Sequence, residues 1–233
     1  MPYRMNIVDV EEKTFSNLTQ GLNDEEALAR LKEHGKNELI KQKKETILEL
    51  FFDQLKDPMV IILLAGALIS IFLGEYLDSG IILIVIILNA TIGVIQEYKA
   101  EKAIEALEKL STPKAYVIRE GFLKEIDSKD LVIGDIVELE VGRYIPADMR
   151  LISSTNLKVE ESTLTGESEA VEKDATLIYD NDMNISDQKN MVFMSTYVTY
   201  GKARGIVVRT GMSSEVGKIA RMLDESNEDM TPL

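Results

Sequence analysis

Thr165, Gly166, Glu167 and Ser168 stand in one unbroken string and bring together a carboxylate, a glycine and two hydroxyls. A carboxylate within hydrogen-bond reach of water can take its proton, glycine lets the backbone approach a phosphate closely, and the flanking hydroxyls can contact an anion or fix the loop. Four such residues also make an ordinary polar loop, so the string gains meaning only from its surroundings. Two further acids stand at turn sites: Asp135 follows Gly134, and Asp148 follows Pro146 and Ala147. Both read as anchors of turns through side-chain to backbone hydrogen bonds.

Other chemistries are restricted by composition. The 233 residues contain no cysteine, which excludes a disulfide framework, a thiolate metal site and a cysteine nucleophile. His34 is the sole histidine, so His-rich metal sites and a Ser-His triad find no support. It falls near the end of a predicted helix, just before Gly35, where an imidazole suits the helix dipole. The net charge of -14 argues against a nucleic-acid partner, because a phosphate backbone is held by clustered Lys and Arg. With 45% hydrophobic residues the chain has material for one or two cores. The polar start, Met1 to Val10, shows no cleavable secretion signal.

The string must be held by the elements around it. From Lys114 to Thr210 short β-branched runs alternate with turn residues: Tyr116–Arg119, Ile133–Glu140, Met149–Ser153, Met191–Tyr200 and Lys202–Arg209, punctuated by Gly121, Gly134, Gly142 and Gly201. This predicts a compact antiparallel β domain. Ahead of it, Asn23 is a helix cap with Asp24, Glu25 and Glu26 in the first turn, and Ala27, Leu28 and Leu31 form an apolar stripe ending at Gly35. Behind it, Ser213 or Ser214 caps a helix in which Val216, Ile219, Ala220 and Leu223 recur at helical spacing.

Between the docking helix and the β domain lie two apolar runs, Met59–Gly74 and Gly80–Ile95, separated by Glu75, Tyr76, Leu77, Asp78 and Ser79. Each is slightly shorter than the roughly 20 residues that span a bilayer. Phe51, Phe52 and Leu55 extend the first through an amphipathic stretch, and Gln96 with Tyr98 suits the interface at the end of the second. About ten large apolar residues per run contribute roughly -0.3 to -0.6 kcal/mol each to insertion, whereas Glu75 or Asp78 at the bilayer centre would cost about 3 kcal/mol apiece, so the acids mark the turn. Lys41, Lys43, Lys44 and Lys56 precede the pair and Lys99 and Lys102 follow it, which places both chain ends in the cytoplasm. The competing reading is a pair of buried helices in a soluble core, disfavoured by runs such as Ile81–Leu88 that have no polar face. No Asp, Glu, Lys or Arg lies inside either run, so no charged ion site is expected there, and Asn89 reads as a helix-packing contact. Gln96–Leu110 continues as a helix with Ala103, Ile104, Leu107 and Leu110 on one side and Glu105 paired with Lys109, until Pro113 stops it.

In this order the strings resemble the P-type cation-transporting ATPases, and among them the calcium pumps. Gly21-Leu-Asn-Asp-Glu-Glu and Gly35-Lys-Asn-Glu-Leu39 resemble the amino-terminal cation-ATPase segment, and Asp57-Pro58 resembles the start of the first span. Asn89-Ala-Thr-Ile-Gly93, Gln96-Glu97 and Ala103-Ile-Glu-Ala-Leu107 resemble the second span and its stalk. Gly134-Asp-Ile-Val137, Pro146-Ala-Asp148 and Leu164-Thr-Gly-Glu-Ser168 resemble the signature strings of the actuator domain. Thr210-Gly211 and Glu215-Val-Gly-Lys-Ile219 resemble the return toward a third span; Ser195 stands where many relatives have glycine.

The resemblance implies an α+β membrane protein made of a transmembrane helical hairpin and a distorted jelly-roll-like actuator domain with flanking helices. Its expected parts are 1–46 (amino-terminal segment), 47–100 (hairpin), 101–113 (stalk), 114–212 (actuator) and 213–233 (a helix toward a third span). It implies that Glu167 positions and deprotonates the water that removes a phosphoryl group from an aspartate, assisted by Thr165, Gly166 and Ser168. Asp-Lys-Thr-Gly-Thr, the family's phosphorylation string, and a P-loop do not occur in the 233 residues, so this chain is expected neither to bind ATP in the family manner nor to transport by itself. ATP and Mg2+ are implied for the full-length pump, with no cofactor or metal site in this chain. Implied partners are the bilayer, the remaining pump domains or a carboxy-terminal partner chain, and a transported cation, with Ca2+ preferred because the cysteines of soft-metal sites are missing. The expected location is the plasma membrane. The alternative is a non-catalytic membrane-anchored module that pairs with or inhibits a pump.

Overall fold

The computed structural model describes residues 1–39, 46–110 and 113–229. Lys41, Lys43, Lys44 and Leu233 lie outside them, as do the side chains of Glu105, Lys109 and Leu110. In chain order the helices are α1 (Ile7–Thr14), α2 (Asp24–His34), α3 (Ile47–Leu55), α4 (Pro58–Phe72), α5 (Tyr76–Leu110), the single turn α6 (Ser162–Thr165) and α7 (Glu215–Asp229). The strands are β1 (Lys114–Arg119), β2 (Phe122–Asp127), β3 (Ile136–Glu140), β4 (Tyr144–Ile145), β5 (Asp148–Glu160), β6 (Val171–Lys173), β7 (Met191–Val192) and β8 (Thr196–Arg209). The chain forms two compact units, Met1–Ile40 with Thr112–Leu233, and Lys41–Ser111.

The first unit is a mixed assembly of helices and one antiparallel sheet in the order β2-β1-β3-β8-β5-β6, with β4 on β8 and β7 on β5. Its core is aliphatic: Val117, Leu139, Ile145, Leu151, Val159 and Val207 are fully or almost fully buried. Glu120 and Gly121, at φ 55° and 78°, make the two-residue turn that sets Arg119 opposite Phe122, because paired positive φ values match the twist of a hairpin. The expected strands Met191–Tyr200 and Lys202–Arg209 are instead β7 and one long β8 that runs through Gly201. Gly201 has φ 78°, and a Cβ there would lie 2.3 Å from the Asn156 carbonyl, so this glycine admits a bulge where β5 crosses close by. Strand β5 likewise continues past the expected Ser153 to Glu160, and β2, β4 and β6 add strands that no apolar run signals.

The amino-terminal residues dock on this sheet. Asn23 and Glu26 form a reciprocal cap on α2, as their spacing predicts. Ala27 is buried with Leu22 and Val132 while Leu31 packs alongside, but Leu28, placed by the sequence on the same stripe, is 52% exposed. The Arg30 guanidinium donates to the carbonyls of Thr14, Phe15 and Ile133 at 2.6–2.7 Å. A Cβ on Gly134 would sit 2.4 Å from Arg30 Nη1, so glycine makes room for this clamp. The polar start also folds: α1 follows the Asn6 cap, and Tyr3 is buried beside Met191 and Phe193.

Asn37 is the hub where segments distant in sequence meet. Its Nδ2 donates to the Ser128 and Pro146 carbonyls, and its Oδ1 accepts from the Gly211 N–H at 2.8 Å. Its own N–H donates to the Lys129 carbonyl, while the Ser128 N–H donates to the Pro113 carbonyl. Leaving toward residue 40 and returning at Pro113, the chain therefore passes the same turn. Ser214, one of the two expected caps, accepts from the Gly217 N–H and starts α7.

The second unit is helical. Helix α5 runs without interruption for 35 residues, so the expected stalk continues the second apolar run as one helix. The expected extension of the first run by Phe51, Phe52 and Leu55 lies on a helix of its own, since α3 and α4 meet at 67°. Asp57 accepts from the Met59 N–H and Pro58 occupies the first helical position, so a new helix starts there. A Cβ on Gly93 would approach Gln54 Oε1 to 2.6 Å, and Gln54 donates to Glu97 at 3.2 Å; glycine and these amide and carboxylate groups fit α3 against α5. By length and composition α5 can cross a membrane, and the bent α3–α4 pair is a second candidate if counted as one span.

Candidate functional site

The four residues of the string sit in one tight turn at the far end of β5. Glu161 follows β5 and is buried; Ser162–Thr165 make the turn α6, and Gly166 ends it at φ 76°, ψ -3°. The left-handed conformation favours glycine here, and a Cβ would meet nothing within 4 Å, leaving that side of the backbone open to an approaching group. The Glu161 carbonyl accepts from the Leu164 N–H, the Thr165 N–H and the Thr165 hydroxyl at 2.9–3.1 Å. The Glu167 N–H in turn donates to Thr165 Oγ1 at 3.3 Å. Thr165 thus fixes the loop from within, while Gly166, Glu167 and Ser168 are exposed. Among the described residues no hydrogen bond or ion pair holds the Glu167 carboxylate. It faces an open depression shared with Leu164, Thr165, Met183, Asn184 and Ile185.

Sequence reasoning missed what lies beneath this loop. Lys173 on β6 places Nζ 2.6 Å from Glu161 Oε1, and both side chains are fully buried. Burial pushes the Glu161 carboxyl up and the Lys173 ammonium down, each opposed by the partner's charge. Nothing in the three-residue strand Val171–Lys173 signals this from sequence. A second tie was half visible: Ser195, flagged for replacing a glycine, adopts φ 70°, and its carbonyl accepts from the Thr163 hydroxyl at 2.9 Å. The positive φ gives the physical reason for glycine at this position.

The two turn acids also serve at longer range than expected. Asp135 does accept locally, from the Val132 N–H, but its principal partner is Arg119, which donates through Nε and Nη2 at 2.8 Å each. Asp148 accepts from the N–H groups of Met194 and Glu215 and lies 3.1 Å from Arg209 Nε, joining β5 to the start of α7. Burial outweighs these partners and holds its carboxyl above the ordinary range. His34 ends α2 and is exposed. Among the described residues no three His, Asp or Glu side chains converge as a metal-ligand set.

Comparison with known proteins agrees with this architecture. Residues 109–224 match the family described as P-type ATPase actuator domain, and residues 3–70 match the cation transporter/ATPase amino-terminal family. Over 231 residues the chain is 53% identical to calcium-transporting ATPase 1 of Bacillus cereus and 46% identical to the calcium-transporting ATPase of Bacillus subtilis, covering 97% and 99% of this chain. Over 210 residues, 89% of this chain and 19% of the relative, it is 42% identical to sodium/potassium exporting P-type ATPase 1 of Saccharomyces cerevisiae. The chain spans about a quarter, 26%, of the length of the two Bacillus relatives. A β domain presenting a Thr-Gly-Glu-Ser turn, with an amino-terminal helical segment docked on it, defines the actuator-bearing class of ion-pump segment. The chain belongs to the P-type cation-transporting ATPases, a membrane-bound family, and corresponds to their amino-terminal portion with the actuator domain.

Proposed function

We propose that this chain serves an ATP-driven calcium pump, and that Glu167 drives removal of the phosphoryl group from an aspartate supplied by residues outside this sequence. The observation that carries the reading is the exposed Glu167 carboxylate on a turn whose glycine leaves one face of the backbone open. Water's oxygen attacks phosphorus, the bond from phosphorus to the aspartyl oxygen breaks, and the aspartate leaves with the electron pair. Glu167 takes the water's proton, and inorganic phosphate is released. Thr165 braces the loop, and Gly166 and Ser168 border the position the phosphate would occupy. ATP and Mg2+ belong to the complete pump; the side chains described here assign neither of them a site.

The preference for calcium rests on the relatives: those named calcium-transporting are 43–53% identical, the sodium/potassium exporters 38–42%. The helical unit crosses the plasma membrane as a hairpin, with α5 as one span, the bent α3–α4 pair as the other, and the jelly-roll-like domain in the cytoplasm. Support comes from its surface: Ile62, Leu68, Ile69, Phe72, Ile84 and Leu88 are all more than half exposed, which is unfavourable in water and favourable in lipid.

The test is Glu167→Gln in the assembled pump. Phosphoenzyme is expected to form from ATP and to decay about a hundredfold more slowly, the usual scale for losing a positioned base. Decay at the parental rate rejects the assigned role.

A further inference from the structure

We propose that the buried Glu161–Lys173 pair is a positioning device that sets where the Glu167 turn stands, an inference that rests on the reading of Glu167 given above. Both side chains are 0% exposed, with Nζ 2.6 Å from Oε1, and Glu161 Oε2 has no hydrogen-bond partner among the described residues. Lys173 is also faced by the Gln188 carbonyl at 3.4 Å and by the Phe193 ring, 5.4 Å from its centroid, while the Lys189 charge opposes its own. A buried ion pair with an unpaired oxygen is a poor device for stability, since well-packed apolar residues of similar volume commonly serve as well or better. What it supplies is a defined separation between two backbones. The Glu161 carbonyl accepts three of the hydrogen bonds that close the turn, the Gly166 N–H donating instead to the Ser162 carbonyl, and Lys173 lies on the strand that follows the loop. The pair therefore clamps both ends of the exposed segment, residues 166–169, at its base. Displacing Glu161 displaces the acceptor on which Thr165 and, through it, the Glu167 N–H depend.

Removing one partner would strand a buried charge, so the informative variant removes both: Glu161→Gln with Lys173→Met, in the complete pump. Labelled phosphoenzyme is formed from ATP and its decay followed after a chase of unlabelled ATP. A positioning role predicts phosphoenzyme formation close to the parental level and decay slower by on the order of tenfold, because small misplacements of a catalytic group carry penalties of that size or larger. A purely structural role would instead lower protein yield, formation and decay together, and either that pattern or parental decay in the folded double variant overturns the inference. If the double variant does not accumulate, Glu161→Asp keeps the charge but withdraws the carboxylate by one methylene. Slower decay with intact formation is again expected, and parental decay again overturns the inference. Glu167→Gln run in parallel separates the two readings: parental decay there removes the role of the loop itself, whereas slow decay there with parental decay in the pair variants removes only the clamp.

Discussion

The two units of this molecule use the same aliphatic residues in opposite ways. In the β unit Val117, Ile136, Leu157 and Val207 are sealed from solvent, and the charges left inside are met by partners, as Asp135 is by Arg119. In the helical unit Ile61, Ile62, Leu77 and Ile84 face outward, and among the α4 residues only Ala67 is buried. The contrast teaches that one unit encloses its aliphatic side chains while the other presents them on its surface. The described residues of the second unit form helices, whose backbone hydrogen bonds are local, whereas the first closes its sheet through residues far apart in sequence.

The sharpest way to break this comparison is to separate the units. Residues 39 and 113 lead to and from one turn, so joining them by a short Gly/Ser linker is expected to give a soluble β unit that unfolds cooperatively. Residues 46–110 produced separately are expected to require detergent or lipid. A β unit that aggregates, or a helical segment that stays monomeric in buffer, would overturn the distinction; sedimentation and circular dichroism in both media decide it. Smaller in effect is Asn37→Ala in the joined unit. It strips partners from the buried Pro146 carbonyl and Gly211 N–H and from the half-buried Ser128 carbonyl, and at about 1–3 kcal/mol per buried orphaned group the expected loss is at least about 2 kcal/mol. Urea unfolding measures it, and a loss below about 1 kcal/mol would show that water replaces the amide. Smallest is Ser195→Gly, which relieves a left-handed serine and is expected to raise stability by up to about 1 kcal/mol while giving up the contact of its hydroxyl with Tyr144. A drop in the urea midpoint would mean that the hydroxyl contact outweighs the strain.

Legibility followed the range of the interactions. The reciprocal cap at Asn23, the Ser214 cap, the single long helix through Gln96 and the alternating strand runs depend on neighbours within a few residues, and sequence shows them. Asp57-Pro58 is likewise local and marks the start of α4, but the 67° angle between α3 and α4 is not written in those two residues. Strand β6 has only three residues and β2 mixes Phe122, Leu123 and Ile126 with Lys124, Glu125 and Asp127; they form because β5 and β1 offer them edges. Asp148 shows the same limit, since its partners Met194, Arg209 and Glu215 lie 46 or more residues away.

By itself, then, the sequence determined the family, the candidate loop Thr165–Ser168 and the division between an apolar helical segment and a β domain, because each is written in residue types, spacing and hydropathy. Only the tertiary structure decided that Asn37 ties together the turns beside the chain's exits, that β8 passes unbroken through Gly201, and that Glu161 and Lys173 meet beneath the loop. Those outcomes require segments distant in sequence to be brought within a few ångströms, and it is the packing of the whole sheet that sets such distances.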